Sequence, residues 1–257
     1  MSARAVVVDD EIASATAIGG LLSRLGCAVT VCTNARAAVP LVMAGDVDLV
    51  SLDLCMPMLD GRQALALIRS HEYTARAPSV PVIAITGLVA PEDRVDALVD
   101  GFAAHLGKPI MVASLRGALE RAVTLRGALR RMRYTDDRAT IEQRMQHVGG
   151  RADAMHTVLG LALAVEQQGR STLREALLSA FAGNAGAARA RLIEFAGFVG
   201  SLGALGLSRK LHALTGQLDQ LDPLADPLGG AAETAIVLVR AELDRVIFTL
   251  REQVHRD

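Results

Sequence analysis

Five short apolar runs punctuate the first 110 residues, near 4–9, 28–32, 48–53, 81–86 and 103–106, each rich in Val, Ile, Leu or Ala. Continuous runs of this kind read as strands buried on both faces of a parallel sheet. Around them, stretches near 12–25, 35–44, 61–70, 91–99 and 111–133 carry apolar positions at helical spacing. The alternation predicts a (βα)5 α/β unit whose right-handed crossovers lay helices on both faces of a parallel sheet. Turn chemistry agrees: Gly26 and Gly45 close helices ahead of strands, and residues 57–61 (PMLDG) break the chain after the third strand.

Beyond residue 111 the strand signals stop. The last helix of the unit overruns it as an Arg-rich stretch to about Arg133, in which Leu115, Ala122, Leu125, Leu129 and Met132 fit a short a/d pattern. That pattern suggests a helical linker or a dimer seam, although it falls short of three heptads. Asp136-Asp137 and Gly149-Gly150 are breaks. From about 151 the chain reads as all helix, with Ile236, Val239, Leu243, Val246 and Leu250 at helical spacing and one clear loop at 222–230. Short loops between such helices imply an antiparallel helical bundle. The expected organisation is a first domain over 1–122, a helical linker over 123–149 and a bundle over 150–257.

Composition changes this picture little. Hydrophobic residues make up 51% of the 257 positions, enough for two cores, but aromatics are 3% and Trp is absent, so small residues must pack the helices. A net charge of −1 gives no global pull toward nucleic acid or membrane. The segment 116–144 holds eight arginines with Tyr134 as its single aromatic and acids between, which reads as a solvated helix face rather than a nucleic-acid site. The three cysteines (Cys27, Cys32, Cys55) are an odd count and read as reduced thiols. Asp9 and Asp10 interrupt the first apolar run, so no signal segment is expected, and no run is long enough to span a bilayer. A cytoplasmic location follows as an expectation.

The chemistry lies at the ends of the strand runs. Asp9 and Asp10 end AVVVDD, Asp53 ends DLVSLD, Thr86 ends PVIAIT and Lys108 stands in LGKP. In a parallel sheet the carboxyl ends of the strands share one edge, where ligands bind. Three carboxylates, a hydroxyl and an ammonium are thereby delivered to one place. The acids make a hard-oxygen pocket suited to Mg²⁺, which prefers a few carboxylates, waters and a phosphate. Asp53, on the central strand, is the best placed nucleophile for aspartyl-phosphate chemistry, with the metal and Lys108 neutralising charge on phosphoryl oxygens. Glu11 and Asp60 read as helix-start charges that cap, and Cys55 as structural.

The motifs VVVDDE, LVSLDLCMPMLDG, IAITG and LGKPI, in this order, resemble the receiver domain of two-component response regulators over roughly residues 3–122. The resemblance implies a flavodoxin-like fold, Asp53 as phosphoacceptor, Asp10 as direct Mg²⁺ ligand, Asp9 as support through water and the Cys55 backbone carbonyl as a further ligand. It implies that Thr86 and Lys108 hold the phosphoryl group. Where the family usually has Tyr or Phe as a rotating switch, this chain has His105, which would make a switch pH-sensitive.

In the helical half, SAFAGNAGAARARLIEFAGFVGSLGALGLS resembles the core of a histidine phosphotransfer (HPt) domain. By that resemblance Asn184 takes an acidic place, Ile193 stands where the phosphoaccepting histidine would be and Ala196 where a lysine would be. Gly197 and Leu202-Gly203-Ala204 match. Leu192, Phe195, Val199 and Leu202 share one stripe, suited to a core. Ile193, Ala196, Gly197 and Gly200 share the next, at i, i+3, i+4, i+7. Two helical glycines point to close approach, either by a neighbouring helix or by a partner docked on that apolar stripe. His147, His156 and His212 read as surface or packing histidines without metal-ligand spacing.

The expected function is that of a response regulator in bacterial two-component signalling, phosphorylated on Asp53, whose pseudo-HPt bundle is a phosphorylation-controlled interaction module. The receiver would catalyse only its own phosphorylation and dephosphorylation. The expected partners are a sensor histidine kinase or phosphotransfer protein, other receivers and a second copy of the chain, with no membrane. The competing readings are a phosphorelay intermediate or phosphate sink and, behind it, nucleic-acid binding through the Arg-rich segment.

Overall fold

A computed structural model describes residues 2–131, 138–145, 151–218 and 230–254. The chain divides into two compact units, Met1–Met132 and Arg133–Asp257. In the first, β1 (Arg4–Val8), β2 (Ala28–Cys32), β3 (Leu49–Leu52), β4 (Val82–Thr86) and β5 (Ala104–Gly107) alternate with α1 (Ile12–Arg24), α2 (Ala35–Met43), α3 (Gly61–Thr74), α4 (Pro91–Asp100) and α5 (Val112–Arg131). The sheet is parallel in the order β2-β1-β3-β4-β5.

The period of two along each strand divides its side chains between two cores. Val6, Val8, Val50, Leu52, Val82 and Ala84 pack with Ala38, Val39, Leu65 and Ile68 of α2 and α3. Ala5, Val7, Leu49, Ile83, Ile85 and Leu106 pack with Ile18 and Leu22 of α1 and with Leu115, Ala118 and Ala122 of α5. Strands β1, β3 and β4 lack polar alternation because both their faces are covered, whereas β2, at the sheet edge, leaves Ala28, Thr30 and Val31 exposed, so the run at 28–32 is not buried on both faces as expected. Local signals fix the helix starts. Asn34 caps α2 by accepting from the Ala37 N–H, and Asp60 forms a capping box with Gln63 at α3. Pro91 opens α4, and Gly101 at φ 105° closes it in the left-handed conformation.

The second unit holds α6 (Arg138–Met145), α7 (Arg151–Phe181), α8 (Ala185–Ser201), α9 (Leu205–Leu218) and α10 (Gly230–Val254). Helix α7 packs on α8 and α10, and α9 packs on the same two, so the four close a ring. Leu173, Leu177, Leu192, Phe195, Val199, Leu211, Leu214, Ile236, Leu243 and Leu250 are buried. Ion pairs stitch the helices: Lys210 of α9 meets Glu242 of α10 at 2.9 Å, and Arg251 of α10 meets Glu166 of α7 at 2.6 Å.

Another expectation needs correction. The a/d pattern of α5 is not an open dimer seam: Leu115 and Ala122 sit in the first unit's core, and Leu125 and Leu129 are also buried. Apolar spacing showed the amphipathic face but not what covers it. Helix α6 packs within the second unit, where Thr140 Oγ1 donates to the Gly203 carbonyl at 2.8 Å and Arg144 donates to the Ser201 carbonyl at 2.7 Å. Met132, Tyr134, Asp136-Asp137, His147, Gly149 and the expected loop at 222–229 lie outside the described residues.

Candidate functional site

Parallel register sets the site. Val8 pairs with Leu52 and Thr86 with Gly107, so the residues that follow β1, β3 and β5 emerge level with the end of β4. Backbone bonds carry the alignment one residue further: the Asp53 N–H donates to the Val8 carbonyl at 2.9 Å, and the Lys108 N–H to the Thr86 carbonyl at 2.8 Å. The Lys108–Pro109 peptide is cis. Asp9, Asp10, Asp53, Thr86 and Lys108 are thus brought to one edge.

Lys108 lies at the centre of the charges. Its Nζ stands 2.6 Å from Asp53 Oδ2 and 2.7 Å from Asp9 Oδ2. Asp9 is 1% and Asp53 7% exposed, and burying two carboxylates without partners would cost several kcal/mol, on the order of the penalty for any unpaired buried ion. Burial alone would lower the Lys108 pKa, but hydrogen bonds to Asp53 and Asp9 outweigh it and raise the ammonium above its ordinary value. The remaining acceptor sites are met locally. Asp9 accepts from the Glu11 N–H at 3.0 Å and from Ser14 Oγ at 2.6 Å, and Asp53 Oδ1 accepts from the Cys55 N–H at 3.1 Å.

Asp10 is exposed and completes the acidic group: one carboxylate oxygen from each of Asp9, Asp10 and Asp53 lies within 4.8 Å of the others. All donors are hard oxygens, and Asp10 leaves the group open to solvent, so the set fits a hydrated divalent cation. Thr86 is fully buried and its Oγ1 accepts from the Leu88 N–H at 3.3 Å, which leaves the hydroxyl proton available. Gly61, at the start of α3, packs directly on the Asp53 backbone; a Cβ there would fall on the Asp53 carbonyl and 2.9 Å from Leu54 Cα.

Residues 5–120 match the response regulator receiver domain family. This part of the chain is a receiver domain. The Sensor protein GacS of Pseudomonas syringae pv. syringae is 35% identical over 107 residues, which is 42% of this chain and 12% of that protein. Transcription factor SKN7 of Candida albicans is 33% identical over 116 residues, 45% of this chain and 20% of that protein. The chain therefore spans only a small part of these relatives. Among solved structures, the receiver domain of a Pseudomonas aeruginosa sensor histidine kinase with magnesium in its active site cleft is 31% identical. That match covers 48% of this chain and 99% of that one, with a TM-score of 0.43. The receiver match ends at residue 120, and α6 to α10 lie beyond it. Among the described residues no helix is long and apolar enough to cross a membrane.

Several details went unread in the sequence. Ser14 holds Asp9 from the first turn of α1, a contact visible only once that helix's start is fixed. Glu11 occupies the N-cap of α1 without a side-chain cap bond, whereas Asp60 caps as expected. Cys55 is exposed, while Cys27 and Cys32 are buried, which raises their thiol pKa values. His105 is half-buried on β5, and burial, followed by the Arg94 guanidinium, holds it below the usual histidine range.

The expected stripe on α8 does not survive intact. Ile193 is 43% exposed, and Gly197 is exposed with open space where a Cβ would stand, but Ala196 is fully buried and Gly200 approaches Ser208, its Cβ position 3.3 Å from Oγ. The helical wheel gives angles on one helix, whereas the neighbouring helices α7 and α9 decide which angles are covered. The core stripe is as expected for Leu192, Phe195 and Val199. Asn184 has a local task as N-cap of α8, accepting from the Ala187 N–H at 3.1 Å. His156 is exposed, and exposed His212 meets its own helix at the Ser208 carbonyl, 2.8 Å away.

Proposed function

We propose that this protein is a cytoplasmic response regulator phosphorylated on Asp53, whose helical unit is an antiparallel, HPt-like bundle without a phosphoacceptor histidine. The observation that carries the reading is the bridge of Lys108 Nζ between Asp53 and Asp9 inside an acidic group at the sheet edge. The receiver is read over 1–122 and the bundle over 150–257, joined by 123–149, whose helix α6 packs on the bundle's α10. Three-residue connections after α7 and α8 support antiparallel neighbours.

The Asp53 carboxylate attacks the phosphorus of a donor, either a phosphohistidine on a sensor kinase or phosphotransfer protein or a small acyl phosphate. The new O–P bond forms as the donor's P–N or P–O bond breaks, its electron pair leaving with the donor. Lys108 then shifts from the Asp53 carboxylate to the incoming phosphoryl oxygens, and Thr86 donates its free hydroxyl proton to one of them. Asp9, Asp10, Asp53 and the Cys55 carbonyl would hold Mg²⁺, which when bound neutralises charge on the phosphoryl oxygens. Exposed apolar side chains on the surrounding loops and α1, Ile12, Met58 and Met111, give a partner's surface somewhere to sit. His105 is the switch position. The receiver acts only on its own phosphoryl group, and its state controls a partner surface on the bundle that includes Ile193 and Gly197.

The test is incubation of the intact protein with Mg²⁺ and acetyl phosphate beside Asp53→Asn. The expected product is base-labile phosphate that the variant lacks entirely; full labelling of the variant overturns the assignment. Acid-labile, base-stable phosphate in the helical unit, where His156 is exposed, would favour the relay reading instead.

A further inference from the structure

Strand β2 is an edge of the sheet, and Ala28, Thr30 and Val31 on it are exposed, Val31 to 44%. Its inner side is bonded to β1: the Ala28 N–H donates to the Ala3 carbonyl, and the Cys32 carbonyl accepts from the Asp9 N–H. Backbone groups alternate sides along a strand, so the backbones of Ala28, Thr30 and Cys32 face β1 while Val29 and Val31 turn their N–H and C=O outward. Proteins guard such edges with lysine, proline or a bulge, yet residues 28–32 (AVTVC) carry no charge and no proline.

Helix α2 extends the open surface. Ala35, Ala38, Val39 and Val42 are buried, whereas Ala37, Pro40, Leu41 and Ala44 are exposed at i, i+3, i+4, i+7. Leu41 and Ala44 line one groove with Ala28 and Thr30, so the strand edge and the helix stripe form a single apolar strip. Charges stand only at its ends. Arg36 opens α2, and Asp46, paired with Arg4 at 3.2 Å, follows the end of that helix.

The symmetry of the strand names the occupant. Residues 28–32 read nearly the same in both directions about Thr30, with a valine on either side. In an antiparallel second copy whose two-fold axis passes at Thr30, each Val29 exchanges backbone hydrogen bonds with the partner's Val31, which uses the outward groups that β1 leaves open. Thr30 meets the partner's Thr30 in a non-hydrogen-bonded pair, where Cα atoms lie about 4.5 Å apart. Paired β-branched residues and paired threonines favour such a seam. An axis normal to the sheet keeps both α2 helices on one face and antiparallel, so the apolar stripe meets itself. Arg36 of one copy then comes to the end of the other's α2, where Asp46 stands, and the charges are opposite. A closed two-fold contact requires a patch that is complementary to itself in this way. An extended segment from another protein would account for the strand edge but not for the helix stripe and its end charges.

We propose that the protein binds a second copy of itself through antiparallel β2 strands, which joins two five-stranded sheets into one and packs the α2 stripes across the axis. Asp53 follows β3, with β1 between it and the seam, so assembly leaves the acidic group to its own chemistry.

The experiment is sedimentation equilibrium of the intact protein without a phosphodonor, from about 1 to about 200 μM, a range that brackets a micromolar Kd. Wild type should pass reversibly from one to two chain masses. Thr30→Lys and Thr30→Glu each set like charges directly opposite one another at the axis, so each alone should stay monomeric throughout. An equal mixture of the two should dimerise again, because only the mixed pair sets Lys against Glu. Thr30 is exposed, so neither substitution enters the core, and rescue in the mixture shows that both variants are folded. A wild type that stays monomeric overturns the proposal and leaves the edge to an extended segment of another protein. A dimer that persists in both single variants overturns it too, as does a mixture that stays monomeric. The Asp53 assignment stands or falls separately, since no phosphoryl group is involved.

Discussion

Asp53 and Ile193, the two positions that the proposed reading sets side by side, are treated in opposite ways by their units. Asp53 is 7% exposed, charged, and held by Lys108 and the Cys55 N–H; Ile193 is 43% exposed and apolar. The first unit keeps two carboxylates against the cost of burial, which a fold tolerates only where compensating charges and donors are arranged around them. The second unit keeps an apolar side chain in water, which costs little and performs no chemistry. The proposed reactivity thus rests on residues that oppose the burial preference, and the proposed docking surface on residues that are merely left uncovered.

The sharpest way to break this comparison is to unfold one unit and ask whether the other still reacts. Phe195 is 1% exposed and packs in the second unit's core. Phe195→Ala should lower the stability of that unit by about 3–5 kcal/mol, read as an earlier transition in urea, while Mg²⁺-dependent labelling of Asp53 stays at the wild-type level. Labelling that collapses together with the bundle would mean that the site depends on the helical unit, and the contrast drawn between the two would fail.

A smaller effect probes the first unit from inside. In Gly61→Ala the new Cβ falls on the Asp53 carbonyl and 2.9 Å from Leu54 Cα, both backbone atoms that cannot rotate away. The expected loss is about 1–3 kcal/mol from overpacking, accompanied by slower labelling because the Asp53 backbone must move. A variant as stable and as reactive as wild type would show that the start of α3 does not position the phosphoacceptor.

The two units were also unequally legible. The edge residues could be read because each strand run ends on its polar group, and a parallel sheet has only one carboxyl edge to which Asp9, Asp53, Thr86 and Lys108 can go. What escaped notice depends on side-chain reach: Ser14 to Asp9 and Leu88 to Thr86 each need a settled helix start or loop. In the helical half, periodicity placed Leu192, Phe195 and Val199 in the core but misjudged Ala196 and Gly200, because the covering helices come from elsewhere in the chain. The close approach that two glycines suggested on α8 occurs chiefly at Gly169 of α7, where a Cβ would stand 2.7 Å from Leu243 Cδ2 and 3.0 Å from Phe195 Cζ. Nothing in the local sequence around Gly169 marks it, since both neighbours belong to other helices.

Gly197 carries the smallest and most discriminating effect. It is exposed within α8, and nothing among the described residues lies within 4 Å of where its Cβ would be. A helical glycine without a packing reason weakens its helix, so Gly197→Ala should stabilise the second unit by about 0.5–1 kcal/mol through the lost freedom of the unfolded chain. The measurement is the urea midpoint of that unit, which should rise. A midpoint that falls would mean that a neighbour already occupies the space over Gly197, and the face offered by Ile193 and Gly197 would then be closed. A midpoint that rises keeps the face open, and it makes the glycine a sacrifice of stability that the bundle's own packing does not require, as expected of a surface reserved for a partner.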